Sequence, residues 1–136
     1  MREIKFRLRI ENKVVGYEKW YQGNYGEITS ADARWLYSKD NDYWNPSYIH
    51  HRVKDQFTGL KDKNGKEIYE GDIVQPTTMN DGNLNLWTMV DGKAVKKQVE
   101  IKWNEKYAEF EIQLPTNDLE VIGNIYENPE LLGGRK

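Results

Sequence analysis

A chain of 136 residues with 20 basic and 22 acidic side chains, net charge −2, has the length of one domain or at most two compact subdomains. It lacks the basic surplus of a protein built around a phosphate backbone. With no cysteine it holds no disulfide, thiol nucleophile, cysteine-ligated zinc or iron–sulfur centre, and with no apolar run near the roughly 18 residues of a spanning helix it offers no membrane segment.

The charged opening Met1-Arg2-Glu3-Ile4-Lys5 is unlike a secretory leader, so a cytoplasmic location is expected. Ile4, Phe6, Leu8 and Ile10 alternate with Lys5, Arg7 and Arg9, which predicts a strand with one apolar and one basic face. The basic face reads as the solvated side of an edge strand. Glu11-Asn12-Lys13 turns the chain, and Val14 to Tyr21 returns as the second arm of an antiparallel hairpin. Residues 27–38 carry two readings. Ser30 caps a short helix through Ala31, Ala33, Arg34 and Leu36, or the same residues form an aromatic-rich strand ending at Tyr37. Ser38 to Asn45, closed by Pro46, predicts a loop and a boundary between an N-terminal subdomain, 1–47, and a C-terminal one, 48–136.

Tyr48 to Val53 and Gln56 to Leu60 are the next predicted strands. Asp62-Lys63-Asn64-Gly65 supplies residues that tolerate the left-handed conformation of a tight hairpin, and Glu70-Gly71 makes a second turn before Asp72 to Gln75. Thr77 to Asn83 is a polar loop. Leu84 to Val90 and Ala94 to Trp103 flank Asp91-Gly92, the strongest short hairpin signal in the chain, with Val95, Lys97, Val99, Ile101 and Trp103 on one face. Tyr107 to Leu114 and Leu119 to Tyr126 complete the strands, and Asn128-Pro129 opens one helical turn. The fold class is mainly β. Five or six short strands over residues 56–126 point to a small closed or half-closed barrel, preceded by a hairpin and an aromatic-rich segment.

The run Gln56-Phe57-Thr58-Gly59-Leu60-Lys61-Asp62-Lys63-Asn64-Gly65-Lys66-Glu67-Ile68-Tyr69-Glu70-Gly71-Asp72-Ile73-Val74 resembles the central signature of the YopX family. Glu120-Val121-Ile122-Gly123-Asn124-Ile125-Tyr126-Glu127-Asn128-Pro129-Glu130-Leu131-Leu132 resembles its C-terminal signature. The opening Arg2 to Arg7 also fits, although Leu8-Arg9 departs from the alanine–tryptophan pair often found there. The resemblance implies a bacteriophage or prophage protein acting in a bacterial host cell, an SH3-like barrel, and no assigned activity or catalytic residues. Within the signature, Gly59, Asp62, Asn64, Gly65 and Gly71 read as turn residues.

The stretch from 20 to 48 concentrates rings, namely Trp20, Tyr21, Tyr25, Trp35, Tyr37, Tyr43, Trp44 and Tyr48, with only Ile28 and Leu36 as large aliphatic companions. Rings without aliphatic filler suit a surface for a protein partner or a second copy, or else a satellite cluster under loops. His50 and His51 are adjacent, so on a strand they face opposite ways and do not converge on a metal. Glu67, Glu70 and Asp72 read as charged turn residues. No phosphate-binding glycine loop, nucleophile elbow or zinc motif occurs. The expectation is therefore a non-enzymatic accessory protein without metal or cofactor, acting by protein–protein binding or self-assembly as a homo-oligomer. A nucleic-acid-binding small barrel, using Lys5, Arg7 and Arg9 with stacking rings, is the alternative. A hydrolase with an unrecognised carboxylate pair is third.

Overall fold

The computed structural model describes residues 3–21, 33–79, 83–104, 109–110 and 118–132, and its chain divides into two compact units, Met1–Phe57 and Thr58–Lys136. The boundary expected at 47/48 lies inside the first unit, ahead of a strand that pairs with the N-terminal hairpin.

The first unit is built on β1 (Lys5–Ile10) and β2 (Lys13–Tyr21), joined by the turn at Glu11, whose φ is +54°. β3 (Arg34–Ser38) lies against β2, pairing Trp20 with Trp35 and Glu18 with Tyr37. The described part of residues 27–38 is thus strand, because its period-two pattern finds a matching edge, whereas a helix would leave that edge open. β4 (Val53–Lys61) adds to the other side of β1, setting Arg7 opposite Asp55 and Leu8 opposite Lys54. The strand order is β3-β2-β1-β4.

That order corrects the edge-strand reading of β1. It is central, and its basic side is enclosed: Lys5, Arg7 and Arg9 are each 6% exposed. The cause is Asp55. Its carboxylate takes Arg7 Nε at 3.0 Å and Arg9 Nε and Nη2 at 3.0 Å, while Arg9 Nη1 donates to the carbonyl of Glu11 at 2.7 Å. A guanidinium is removed from water only when paired and hydrogen-bonded, and one carboxylate anchors both. The expected strand from Tyr48 to Val53 is absent. Residues 48–52 run beside the sheet unpaired as strand, and 53–61 form one strand where two were expected.

In the second unit β4 continues beside β5 (Glu67–Tyr69), and β6 (Asp72–Pro76) follows. β7 (Trp87–Val90) and β8 (Lys93–Lys96) make a ribbon around Asp91-Gly92, both with positive φ. Instead of extending to Trp103, the strand stops at Lys96. The chain then moves to a new partner, with β9 (Val99–Glu100) pairing with β6. β10 (Trp103–Asn104) pairs with β11 (Glu109–Phe110), and β12 (Leu119–Asn124) completes a sheet of order β12-β6-β9. Asn128-Pro129 opens a short 3-10 turn, Pro129–Leu132. The core is Ile68, Val74, Ile101 and Leu119, with Leu86, Val99 and Val121 packed on it. The architecture is mainly β, with several antiparallel sheets. Among the described residues none closes into a barrel, because the chain spreads its pairing over one three-stranded sheet and separate ribbons.

The turn residues have distinct positions. Gly65, at φ +83°, closes the β4–β5 turn, where its amide donates to the carbonyl of Asp62 at 3.0 Å. Asp62 is buried, and its Oδ1 accepts the amides of Asn64 and Lys66 at 2.8 and 2.9 Å, while its Oδ2 accepts that of Val121 at 2.9 Å. Asn64 contributes a backbone donor and has no positive φ. Gly59, at φ +88°, sits within β4 and not in a turn. The hydroxyl of Thr58 bridges the irregularity by accepting Leu60 N–H and donating to the carbonyl of Ile68. Gly71, at φ +90°, lies under the Tyr126 ring, 2.7 Å from where a Cβ would stand.

Candidate functional site

After β3 the chain leaves at Ser38 and returns at Asn45. The amide of Tyr37 donates to the carbonyl of Asn45 at 2.7 Å, and the reverse bond is 3.0 Å. The loop between them is organised by Asp40. Its Oδ1 accepts the amide of Tyr43 at 3.0 Å, the amide of Asp42 at 2.9 Å and the hydroxyl of Ser38 at 3.0 Å. Those donors, the Tyr43 amide foremost, hold the Asp40 carboxyl below its usual range. Asn41 takes the left-handed conformation at φ +66°, as asparagine tolerates. Three residues further, the Trp44 ring lies beneath Lys19 Nζ at 4.4 Å and Lys5 Nζ at 5.4 Å, and Lys5 also donates to Asn41 Oδ1 at 3.3 Å. The loop is fixed both to its own backbone and to the sheet.

A cleft of about 470 Å³ opens against this loop, lined by Tyr37, Tyr43 and Tyr48 with Asp40, Asn45 and Ser47. The Tyr37 and Tyr48 rings meet edge to face at 5.3 Å, and Tyr48 contacts the His51 ring at 5.5 Å. Tyr43 is 71% and Tyr48 63% exposed. The Tyr37 hydroxyl is hydrogen-bonded to Glu18, and burial first, then the Glu18 charge, raise its pKa above the ordinary tyrosine value. Glu18 itself is buried and takes Lys54 Nζ at 2.6 Å. The cleft therefore has one tyrosine locked from behind and two presented to solvent.

The rings singled out in the sequence do not form one patch. Trp20 and Trp35 stack edge to face at 5.2 Å, with Phe6 at 6.4 Å from Trp35 and Lys54 Nζ 4.6 Å over Phe6. Tyr21 carries the Arg34 guanidinium at 5.5 Å. Trp44 binds the loop to the lysine side of the sheet, and Tyr25 lies outside the described residues. Among the described residues only Tyr37, Tyr43 and Tyr48 of these rings converge on the cleft.

Sequence reasoning did not single out Asp40, Asn45 or Asp55. Asp40 and Asn45 had a signal, since Asx side chains in polar loops commonly bond amides a few residues on. Asp55 had none in its local pattern. The arrangement suits binding more than proton transfer. Asp40, with a lowered pKa and three donors on one oxygen, is a weak base. His51 Nδ1 lies 2.8 Å from the carbonyl of Ile49. Glu67 accepts the Tyr69 hydroxyl and Asp72 accepts the Tyr69 amide, so these carboxylates organise backbone and ring.

The family model described as YopX protein matches residues 5–133 of the chain. A crystal structure described as that of protein EF1440 from Enterococcus faecalis is similar at 27% identity, covering 97% of this chain and 99% of that one, with a TM-score of 0.49. None of the curated proteins compared with the chain matches it.

Proposed function

The chain belongs to the YopX family, and on that premise we propose that it is a non-enzymatic accessory protein of bacteriophage or prophage origin that binds a protein partner through the tyrosine cleft. The carrying observation is that Tyr43 stands mostly in solvent on a loop whose backbone is already fixed, with the exposed Tyr48 three residues past its closing bridge at Asn45. A tyrosine ring offers a large amphipathic contact at the entropic cost of two torsions, and a preformed loop removes most of the ordering cost of binding. Rings with amide and hydroxyl groups between them match an extended peptide segment, whose side chains pack on the rings while its backbone seeks polar partners. The nucleic-acid alternative rested on Lys5, Arg7 and Arg9, and their burial removes that support.

A displayed library of random peptides tests the reading. Sequences enriched on the wild type are expected to lose about tenfold or more in affinity on Tyr43→Ala/Tyr48→Ala, the scale of losing an aromatic anchor. Because both rings are exposed, that variant should melt with the wild type. Peptides that bind the double variant equally well would show that the cleft is not the docking site.

A further inference from the structure

The β7 edge of the β7–β8 ribbon carries neither charge nor proline. Among the described residues the two strands pair only with each other, Thr88 opposite Val95 and Val90 opposite Lys93. The bond from Lys97 N–H to the carbonyl of Leu86, 2.9 Å, extends the same register. In that alternation Leu86, Thr88 and Val90 turn their backbone groups inward, Met89 turns both of its groups out, and Trp87 turns out its carbonyl while its amide donates to the carbonyl of Leu84. Met89, Val90 and Val95 are exposed, on both faces of the ribbon. A two-stranded ribbon with apolar residues on both faces is marginal in water, and an open edge is a template for another strand.

The two edges differ in charge. β8 carries Lys93 and Lys96, with Lys97 after it, the usual protection of an edge, whereas Trp87-Thr88-Met89-Val90 has neither charge nor proline. Two other edges are capped. The outer side of β12 takes the β4–β5 turn, through Lys63 N–H to the carbonyl of Leu119 at 2.8 Å and Val121 N–H to Asp62. β3 is closed by Asn45.

We propose that β7 pairs with β7 of a second copy, antiparallel across a two-fold axis at Thr88, joining the two ribbons into one sheet. The occupant is a second copy because the edge complements itself. Its outward residues are symmetric about Thr88, so each Met89 amide faces the carbonyl of Trp87 of the partner subunit, giving two equivalent bonds across the axis. Trp87 and Met89 share a face, which sets indole beside thioether twice over, and Thr88 opposes its own copy on the other face. The lysines stay on the far strand of each ribbon, while pairing through β8 would crowd them together. This pairing does not depend on the tyrosine cleft.

The chain has no cysteine, so a single introduced thiol reports cleanly. Directly opposed residues of a non-hydrogen-bonded pair lie about 4.5 Å apart at Cα, within disulfide reach. Under mild oxidation at micromolar concentration, Thr88→Cys is expected to cross-link at least about tenfold faster than the equally accessible Val95→Cys, and adding Met89→Lys should slow it by a similar factor, since like charges near the axis oppose pairing. Light scattering should give the wild type twice 16.1 kDa. Equal rates for Thr88→Cys and Val95→Cys, or a wild-type monomer of 16.1 kDa at every concentration, would overturn the proposal.

Discussion

Asp55 is one carboxylate between two guanidiniums, all three nearly withdrawn from water. Asp55→Asn leaves two buried cations facing a neutral amide, and a loss of about 3–5 kcal/mol in unfolding free energy is expected from denaturant titration. A loss under 1 kcal/mol would mean that the guanidiniums lean on other groups. The glycines allow a graded comparison. Gly65→Ala meets open space and only the strain of positive φ, about 1 kcal/mol. Gly71→Ala adds the collision with Tyr126 and should cost roughly 1–3 kcal/mol more, while Lys63→Ala, at an exposed site, stays within about 0.5 kcal/mol. Equal effects at 65 and 71 would show that the Tyr126 ring moves aside freely. At this scale the sequence was uneven. Gly65 and Asp62 stood out because turn chemistry is local. Asp55 did not, because its partners are 46 and 48 residues away and register alone brings them together.

The cleft loop carries opposite pH signs at its two ends. Asp40 has a carboxyl pKa lowered from 3.8, so the order it gives the loop is present above that value and is lost as pH falls through the depressed one. Tyr37 has a pKa raised from 10.0, so its contribution is present below 10.0 and is lost as pH rises through the raised value. Peptide binding at the cleft is therefore expected to hold between about pH 4 and 10. Absorbance titration should show tyrosine ionisation above pH 10.0, and the amplitude of that late phase should fall in Tyr37→Phe. An unchanged late amplitude would mean that Tyr37 does not ionise above its ordinary value. The elements themselves were largely legible, with the alternation of β1 and the Asp91-Gly92 turn both plain in the sequence. Their neighbours were not. The lysine–arginine side of β1 resembles a solvated edge until β4 arrives on it, and the ring-rich segment resembles one patch until the pairing of Trp20 with Trp35 sends rings to different places.

For the whole molecule, a mainly β chain of the YopX family was readable from its two signature runs, while the expected barrel was not found among the described residues. Regular short strands with glycine turns are common to closed and open sheets. The difference lies in which strand β9 joins, and Gln98 reaching Gln75 leaves no mark in a pattern of alternation. Asp62 shows the same split between near and far, expressed in time. Its Oδ1 serves amides two and four positions on, so that half of the carboxylate is engaged as soon as the turn forms. Its Oδ2 waits for Val121, 59 residues later, and can be satisfied only when β12 docks. Asp62→Asn preserves the local acceptor and weakens the distant one, so stopped-flow refolding should keep nearly the wild-type rate while unfolding accelerates. Asp62→Ala removes both and should slow refolding as well. If both variants altered only unfolding, the turn would form after the docking, and one aspartate would be recording the order of assembly in reverse.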